Sequence, residues 1–491
     1  MTTVTDARGR SPVSISKPGM RIMYMLAIAA VMGVALAFAS PTRDQWQALA
    51  PLLSAIAVVV MFGHVLLGRS RVFPLDDIGF WHVSFVSLYV VLPLAVFLAL
   101  GLQYTPLNDS RLFSADPSPA LVGRIGWYHV VYLACVASAY LWTVRRHEVP
   151  SNRTSSVPFE WALVAMLIWL FCELFFVGLG FFFQLSAESY LDAYVVVERL
   201  PLFARQFYRL VGGMRVVVSL VVLMWIMSGY SRRRWFLWAW LLLIVLETFV
   251  GGGSRTTLMT TIAATAILYH RFVRPLSLRL ALAGAVVVIV GFTALGIRRQ
   301  LQFAGEGQPT VGIGAGEFDA MFANALDLDQ RVQNHEVSLE LPALYLSELL
   351  APVPSQLLPS PKRDLGIWYL DTFYPERREA GEGLAFGVIP QSLVGFGWPE
   401  IAVRAALIGW MLGLIARWDR RRGHRPWVVG IYLWFTVLSY QTFRNSTFVL
   451  LGMFVQQVIP TIVVLWVLSS LIAAARPRSR PSTALEGRTV V

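Results

Sequence analysis

Long apolar runs alternate with short polar segments along almost the entire chain. Each run holds about 20 residues, which is the length that an α-helix needs to cross about 30 Å of hydrocarbon. The pattern therefore predicts an all-α, polytopic integral membrane protein with about 12 transmembrane helices. The predicted spans lie near residues 21–40, 48–67, 79–102, 120–143, 158–183, 210–229, 235–250, 256–273, 279–297, 392–416, 427–443 and 447–473.

These spans divide the chain into five parts. We expect an N-terminal tail at 1–20, transmembrane helices 1–9 within 21–297, a long loop at 298–391, helices 10–12 within 392–473 and a C-terminal tail at 474–491. The first run ends in ALAFAS, which is similar to a signal-peptide cleavage site. Its apolar stretch is longer than a signal-peptide core and a second span follows at once, so we predict an uncleaved anchor.

Composition supports the membrane class and excludes soluble ones. The chain is 56% hydrophobic and 14% charged, whereas an ordinary soluble domain is roughly 25% charged. The two cysteines, Cys135 and Cys172, fall inside apolar runs, so no disulfide framework or zinc site is indicated. The net charge of +12 reflects arginine-rich loops on one side of the membrane, and no nucleic-acid partner is expected.

The distribution of basic residues orients the predicted bundle. More than half of the 41 Lys and Arg residues lie in the two tails and in every second short loop. Short loops rich in Lys and Arg face the cytoplasm. Both termini are therefore expected in the cytoplasm, and the remaining loops are expected in the periplasm. The basic loops include residues 69–71, 145–153, 231–235, 271–279 and 417–425.

The opposite side carries the loop at 298–391, which at roughly 90 residues is far longer than a usual connection. Its part at 339–375 is rich in Leu, Tyr, Trp and Pro, unlike a disordered tail. We expect short interfacial helices and Pro-set turns that fold over the periplasmic mouth of the bundle.

Several cations lie on this side against the positive-inside bias. All Lys and Arg residues except Lys17 and Lys362 are Arg, and guanidinium suits bidentate binding of phosphate. In the segment GGGSR a glycine turn precedes a predicted helix, whose N-terminal amides attract anions. For single cations such as Arg205 and Arg404, snorkelling to headgroups is the alternative, and Arg209 and Arg215 form a related group with Arg205. The predicted pyrophosphate-binding residues are Gly252, Gly253, Ser254, Arg255, Arg298, Arg299, Lys362, Arg363, Arg377, Arg378 and Arg444.

Residues 200–460 resemble the oligosaccharide repeat-unit polymerases, the Wzy or O-antigen polymerase family. The similar features are GGGSR before a helix, PSQLLPSPK at 354–362, and GEGLAFGVIPQSLVGFGWPEIAVRAALIGWMLGL at 381–414. The Arg, ten residues, Gly pattern of some members is absent from the periplasmic arginines here. The chain also has one large and one modest periplasmic loop where some members have two large ones.

The resemblance implies a glycosyltransferase of the bacterial inner membrane whose active site faces the periplasm. Such an enzyme transfers a growing glycan of O-antigen, capsule or exopolysaccharide from undecaprenyl pyrophosphate to the non-reducing end of a new lipid-linked repeat unit. Membrane lipids, a chain-length regulator and a flippase are the further partners implied. No cofactor is expected, and no metal either, because arginines can stabilise the leaving pyrophosphate.

The acceptor hydroxyl needs a general base, for which Glu382 is the first candidate. Pairing with Arg377 and Arg378 is the alternative role for Glu382. Asp371 and Glu376 are further loop acids, and His335 is expected to be a surface histidine. Glu173, in the middle of a span, is expected to bond a neighbouring helix, with a place in an acceptor channel as the alternative.

Two other functions remain open. An O-antigen ligase uses the same lipid-linked donor, so the arginines do not separate it from a polymerase. A lipid-linked oligosaccharide flippase or other transporter belongs to a different class, and transporters often carry internal repeats and midplane charges. The chain shows no repeat of two halves, which favours an enzyme.

Overall fold

The structure is a computed structural model that describes residues 46–69, 73–100, 118–144, 157–186, 201–250, 255–277, 318–337, 341–350, 352–353, 365–376, 385–423 and 425–475, with isolated residues between 279 and 291. Within these ranges the chain forms helices and turns, with no β-strand. The all-α class predicted from the apolar runs is confirmed.

The first helices follow the predicted spans closely. They are α1 (Trp46–Arg69), α2 (Ile78–Leu100), α3 (Pro119–Thr143), α4 (Phe159–Ser186), α5 (Leu202–Ser228), α6 (Tyr230–Val250) and α7 (Arg255–Phe272). The later ones are α8 (Asp319–Gln333), α9 (Leu341–Leu349), α10 (Leu365–Phe373), α11 (Val388–Val394), α12 (Trp398–Arg422), α13 (Pro426–Leu438), α14 (Gln441–Arg444), α15 (Val449–Met453) and α16 (Ile459–Ala475).

Seven helices of the described ranges are long and apolar enough to cross a membrane. They are α1 to α5, α12, and the continuous helix of α15 and α16, which contains one π-helical turn at Phe454–Val458. This supports a multi-pass membrane protein. The predicted span at 21–40, most of that at 279–297, and both tails except residues 474–475 lie outside the described residues.

The buried side chains form two main groups of helices. In the first, α1, α2, α3 and α12 share a core with α8, α10 and α11 of the long segment. In the second, α4, α5, α6 and α7 pack with α13 and the last helix. Residues of α13 and the following turn contribute to both cores.

Small residues bring α12 and α3 close together. Gly409 and Gly413 are one turn apart on α12, and a Cβ at Gly409 would lie 2.3 Å from the Val136 carbonyl oxygen. A Cβ at Gly413 would lie 2.6 Å from the Thr143 Cβ. In a membrane, where lipid is as apolar as the side chains, such close backbone approach stabilises helix pairs through van der Waals contact.

Short helices occur in the long segment, as expected, but α8 does not lie on the surface. Every residue from Met321 to Asp329 is buried, because α8 packs against α2, α3 and α11. The buried Asn324 donates hydrogen bonds to the carbonyls of Ala385 (2.9 Å) and Phe386 (3.2 Å). The long segment is therefore part of the helical core rather than only a cover over it.

The tenth span begins later than the predicted residue 392. Residues 388–394 form the separate buried helix α11, and α12 starts at Trp398. Gly397, with φ +75°, closes α11 as its amide donates to the Ser392 carbonyl (2.8 Å). Glu400 then reaches back from the first turn of α12 and accepts from the Phe396 amide (2.7 Å), which caps the helix.

Candidate functional site

The structure describes only a small part of the predicted pyrophosphate site. Arg255 is the first residue of α7, although its side chain is outside the described set, and Arg444 ends the short helix α14. The other predicted site residues lie outside the described ranges: Gly252, Gly253, Ser254, Arg298, Arg299, Lys362, Arg363, Arg377, Arg378 and the candidate base Glu382.

Polar side chains from four segments meet at one end of the bundle, which we call the Asp77 end. The Tyr140 hydroxyl donates to the Asp77 carboxylate (2.8 Å), and Arg420 Nη2 lies 3.4 Å from Asp77 Oδ2. Burial raises the pKa of Asp77, and the nearby Arg420 opposes this shift. Arg271, in the last turn of α7, pairs with Asp419 (2.9 Å).

A second cluster lies at the opposite end, which we call the Arg404 end. Arg404 and Arg420 are both on α12, and their separation of 16 residues corresponds to about 24 Å along a helix at about 1.5 Å per residue. Because Arg271 at the last turn of α7 belongs to the Asp77 end, Arg255 at the first turn belongs to the Arg404 end. The structure thus places the backbone of Arg255 and the turn of Arg444 at the same end.

Arg404 is the centre of this second cluster. Its Nη1 lies 2.5 Å from Glu348 Oε2, its Nε lies 2.5 Å from Glu400 Oε1, and Nη1 also donates to the Thr447 hydroxyl (2.8 Å). The Thr447 amide donates to Glu348 Oε1 (2.7 Å). Arg404 is 6% exposed, so it does not snorkel to headgroups as the sequence allowed. The charged side chains of Arg404, Glu348 and Glu400 therefore join α9, α12 and the turn that follows Arg444.

Two polar atoms of the Arg404 cluster have no hydrogen-bond partner within the described residues. They are Arg404 Nη2 and the Oε1 of the buried Gln391, whose Nε2 donates to Glu348 (3.1 Å). The Tyr345 hydroxyl donates to Glu400, and burial followed by this hydrogen bond raises the pKa of Tyr345. Arg404 Nη2 as a donor and Gln391 Oε1 as an acceptor suit a hydroxyl group or a water. The two carboxylates of Glu348 and Glu400 beside the one guanidinium of Arg404 leave the cluster with a net negative charge.

Helix α8 brings two further carboxylates to this end. Asp329 pairs with Arg124 near the start of α3 (2.6 Å), and burial raises the pKa of Asp329 while Arg124 opposes the shift. Asp327 accepts from Arg331 one turn later (3.1 Å) and from the Tyr369 hydroxyl of α10. Both carboxylates are buried and paired, so Asp329 holds α8 against α3, and Asp327 holds α8 against α10.

Two histidines, His82 and His129, are buried in the first group of helices. His82 Nδ1 donates to the Ser439 carbonyl (3.1 Å), which leaves its Nε2 to accept from the Tyr132 hydroxyl (3.2 Å). His129 Nδ1 donates to the Ile125 carbonyl (2.8 Å), and its Nε2 has no hydrogen-bond partner in the described part of the chain. The His129 ring stacks on Phe322 of α8 (5.2 Å between centroids).

The other predicted candidates lie away from these clusters or on the surface. Glu173 bonds Arg215 on the neighbouring helix, which confirms the structural role expected for it. His335 is exposed in the turn after α8, in agreement with the expected surface position, and Asp371 and Glu376 are exposed as well. Among the described residues, no group of His, Cys, Asp and Glu has the arrangement of a metal site.

Sequence reasoning missed the residues that the structure brings together at the Arg404 end. The signal that could have found one pair is the spacing of Glu400 and Arg404, four apart on one predicted helix. Glu348, Asp327 and Asp329 lie far from their partners in sequence or in a segment expected to be superficial. No protein-family model, curated protein or solved structure matches the chain.

Proposed function

We propose that the protein polymerises lipid-linked oligosaccharide repeat units, transferring a growing glycan from undecaprenyl pyrophosphate to a new unit at the periplasmic face of the inner membrane. The observation that carries the proposal is the Arg404 end itself. There, Glu348 and Asp329 of the long segment pair with Arg404 and Arg124 of the transmembrane helices, at the same end of the bundle as the turn of Arg444 and the first residue of α7. Charged groups gathered at one end of the bundle suit a reaction that takes place at one face of the membrane.

The Arg404 and Asp329 ion pairs position the long segment in this proposal. They hold α8 and α9 against α3 and α12, so the segments that carry Lys362, Arg363 and Glu382 start and end at fixed helices. In this proposal the predicted pyrophosphate-binding residues, among them Arg255 and Arg444, bind the pyrophosphate. Their positive charge stabilises the pyrophosphate as it leaves the anomeric carbon of the sugar. Glu382 accepts the proton of the attacking sugar hydroxyl.

Substitution of Arg255 tests the proposal. If its guanidinium binds pyrophosphate through two parallel hydrogen bonds, Arg255→Ala should abolish long glycan at normal protein level. Arg255→Lys should be nearly as poor, because an ammonium keeps the charge and loses the fork. Loss of a desolvated charge-assisted contact costs about 2–5 kcal/mol, or about 30-fold to several thousand-fold in rate. Arg274→Ala, at an exposed position two residues beyond the other end of this helix, is the matched control.

The readout is the ladder of glycan lengths from a deletion strain complemented with each variant. A full ladder from Arg255→Ala would overturn the pyrophosphate role. If the deletion strain itself accumulates full-length polymer on the lipid carrier and none on lipid A, the protein is a ligase instead. Cysteine labelling checks the assumed sidedness: an impermeant thiol reagent should modify a cysteine at exposed Asn334 but not at exposed Ser231 in cells with a permeable outer membrane.

A further inference from the structure

An apolar groove runs between four helices at the Asp77 end. Its volume is about 240 Å³, and its lining includes Trp161 of α4, Val221 of α5, Gly430 of α13 and Ile462 of α16. None of the described residues that line it is charged. Enclosed small-molecule sites usually measure about 300–1,000 Å³, so the space suits a hydrocarbon chain laid along it better than a whole compact ligand.

One end of the groove lies at the start of α13, where Pro426 and Trp427 line it. The exposed Arg425 directly precedes Pro426, and its amide donates to the carbonyl of the exposed Arg422 (3.0 Å). Arg422 and Arg425 are therefore exposed residues next to the lining at this end of the groove. Glu160, in the first turn of α4, adds one negative charge at this end, so these three described residues together carry a net positive charge.

The two tryptophans mark the depth of this mouth in the bilayer. Trp427 is 41% exposed, and Trp161 is half-buried in the first turn of α4. Tryptophan is enriched at the level of lipid headgroups, where its ring contacts hydrocarbon and its N–H contacts water. The groove therefore starts at headgroup level and continues down to Val458 and Leu465, which are buried within the hydrocarbon region.

We infer that the groove is a binding site for one anionic phospholipid, with an acyl chain between α4, α5, α13 and α16 and the phosphate at Arg422 and Arg425. The apolar lining matches the chain, and the positive mouth matches the headgroup. Basic clusters beside a membrane surface attract anionic lipids in this way. The site is at the opposite end of the bundle from the proposed reaction, so its occupant is a resident lipid rather than the substrate.

Lipid retention tests the inference on the full chain. The protein is reconstituted in phosphatidylethanolamine with phosphatidylglycerol, re-extracted in mild detergent, and its retained lipid is identified by mass spectrometry. We expect phosphatidylglycerol to be retained in preference, and Arg422→Gln and Arg425→Gln each to lower that retention about fivefold. Equal retention of both lipids, unaffected by these substitutions, would overturn the inference.

A second pair of variants tests the chain-binding part. Gly430→Phe fills the groove, because the nearest atom to a Cβ at Gly430 is Met224 Sδ at 3.5 Å and the space beyond is the groove. Val463→Phe is the control, since Val463 is 52% exposed on α16 beside Ile462 and does not line the groove. Only Gly430→Phe should release phosphatidylglycerol; equal retention by both variants would contradict the site.

Cross-linking identifies the occupant without altering the fold of the groove. A photoreactive benzophenone amino acid replaces Trp161, with Trp466, 61% exposed on α16, as the lipid-facing control. After purification, irradiation at position 161 should yield a phosphatidylglycerol adduct, and that at 466 should yield little. An adduct with a polyprenyl lipid, or an internal cross-link to residues 21–40 of the same chain, would refute the phospholipid assignment.

Discussion

Arg215 binds Glu173 through two parallel hydrogen bonds between neighbouring transmembrane helices. The distances are 2.7 Å from Nε to Oε1 and 2.8 Å from Nη2 to Oε2. Both side chains are buried, and the guanidinium also lies 5.2 Å from the ring centroid of Phe176. Opposite charges at membrane depth offset each other's desolvation, so the pair fixes the register of α5 against α4.

Removal of one partner of this pair should destabilise the protein strongly. Arg215→Met leaves Glu173 buried and unpaired, a change that costs about 3–5 kcal/mol in buried ion pairs. The double variant Glu173→Gln with Arg215→Met should recover most of the loss, because no unpaired charge remains. Thermal unfolding in detergent measures the effect, with Arg232→Ala at an exposed position as the control. Equal loss in the single and double variants would contradict the account.

The contact between α12 and α3 predicts a second sensitive position. Gly409→Ala places a Cβ 2.3 Å from a backbone oxygen, and backbone cannot move aside as a flexible side chain can. The helices must separate, and overpacking of this kind costs about 1–3 kcal/mol. Gly178→Ala is the matched control on α4, since nothing lies within 4 Å of its Cβ, and it should unfold at or above the wild-type temperature.

The helical class and most described helix positions could be predicted from the sequence, because each depends on a local run of apolar residues. The span predicted at 48–67 corresponds to Trp46–Arg69, and that at 120–143 corresponds to Pro119–Thr143. The start of α12 was predicted six residues early, because Val388–Val394 is apolar enough to continue the run. Only the positive φ of Gly397 and the cap from Glu400 separate the two helices.

The polar clusters could not be predicted, because their partners are distant in sequence. Glu348 is 56 residues from Arg404, and Asp327 is 42 residues from Tyr369. A run of apolar residues shows that a helix is buried, but it does not show which other helix it faces. Asp327 and Asp329 of α8 were also missed. The length and polarity of α8 are those of a surface helix, so its sequence alone does not show that it is inserted among the transmembrane helices.

Asp329 should make stability depend on pH in a defined direction. Burial raises its pKa above the ordinary value of 3.8, and the facing groups Arg124, Tyr128 and Gln333 do not cancel that shift. Between the two pKa values the folded state holds a proton that the unfolded state has lost, so stability falls as pH rises through the folded pKa.

The check is a comparison of thermal unfolding midpoints for wild type and Asp329→Asn between about pH 4 and about pH 7. The amide has no proton to lose, so the variant should show a smaller fall over this interval. An identical pH dependence in the two proteins would mean that Asp329 does not titrate there.

Arg404 is predicted to act as a positioning residue that holds α9 and α12 together. Its Nε and Nη1 are both occupied by buried carboxylates, so Arg404→Ala leaves Glu348 and Glu400 uncompensated. The expected cost is about 3–5 kcal/mol, with loss of the glycan ladder through loss of the folded Arg404 end. Val403→Ala, at a position that is 67% exposed on the same helix, should leave stability and ladder unchanged.

Neutralising the whole cluster separates positioning from contact with substrate. The triple variant Arg404→Met, Glu348→Gln and Glu400→Gln removes all three charges, and Gln can still accept from the Thr447 and Phe396 amides as the carboxylates do. Replacing a buried ion pair by neutral groups of similar size is often neutral for stability. We therefore expect the triple variant to regain both its unfolding midpoint and its ladder. If the midpoint returns while the ladder stays absent, a charged group of this cluster contacts the substrate, and Arg404 Nη2, which has no hydrogen-bond partner among the described residues, is the first candidate.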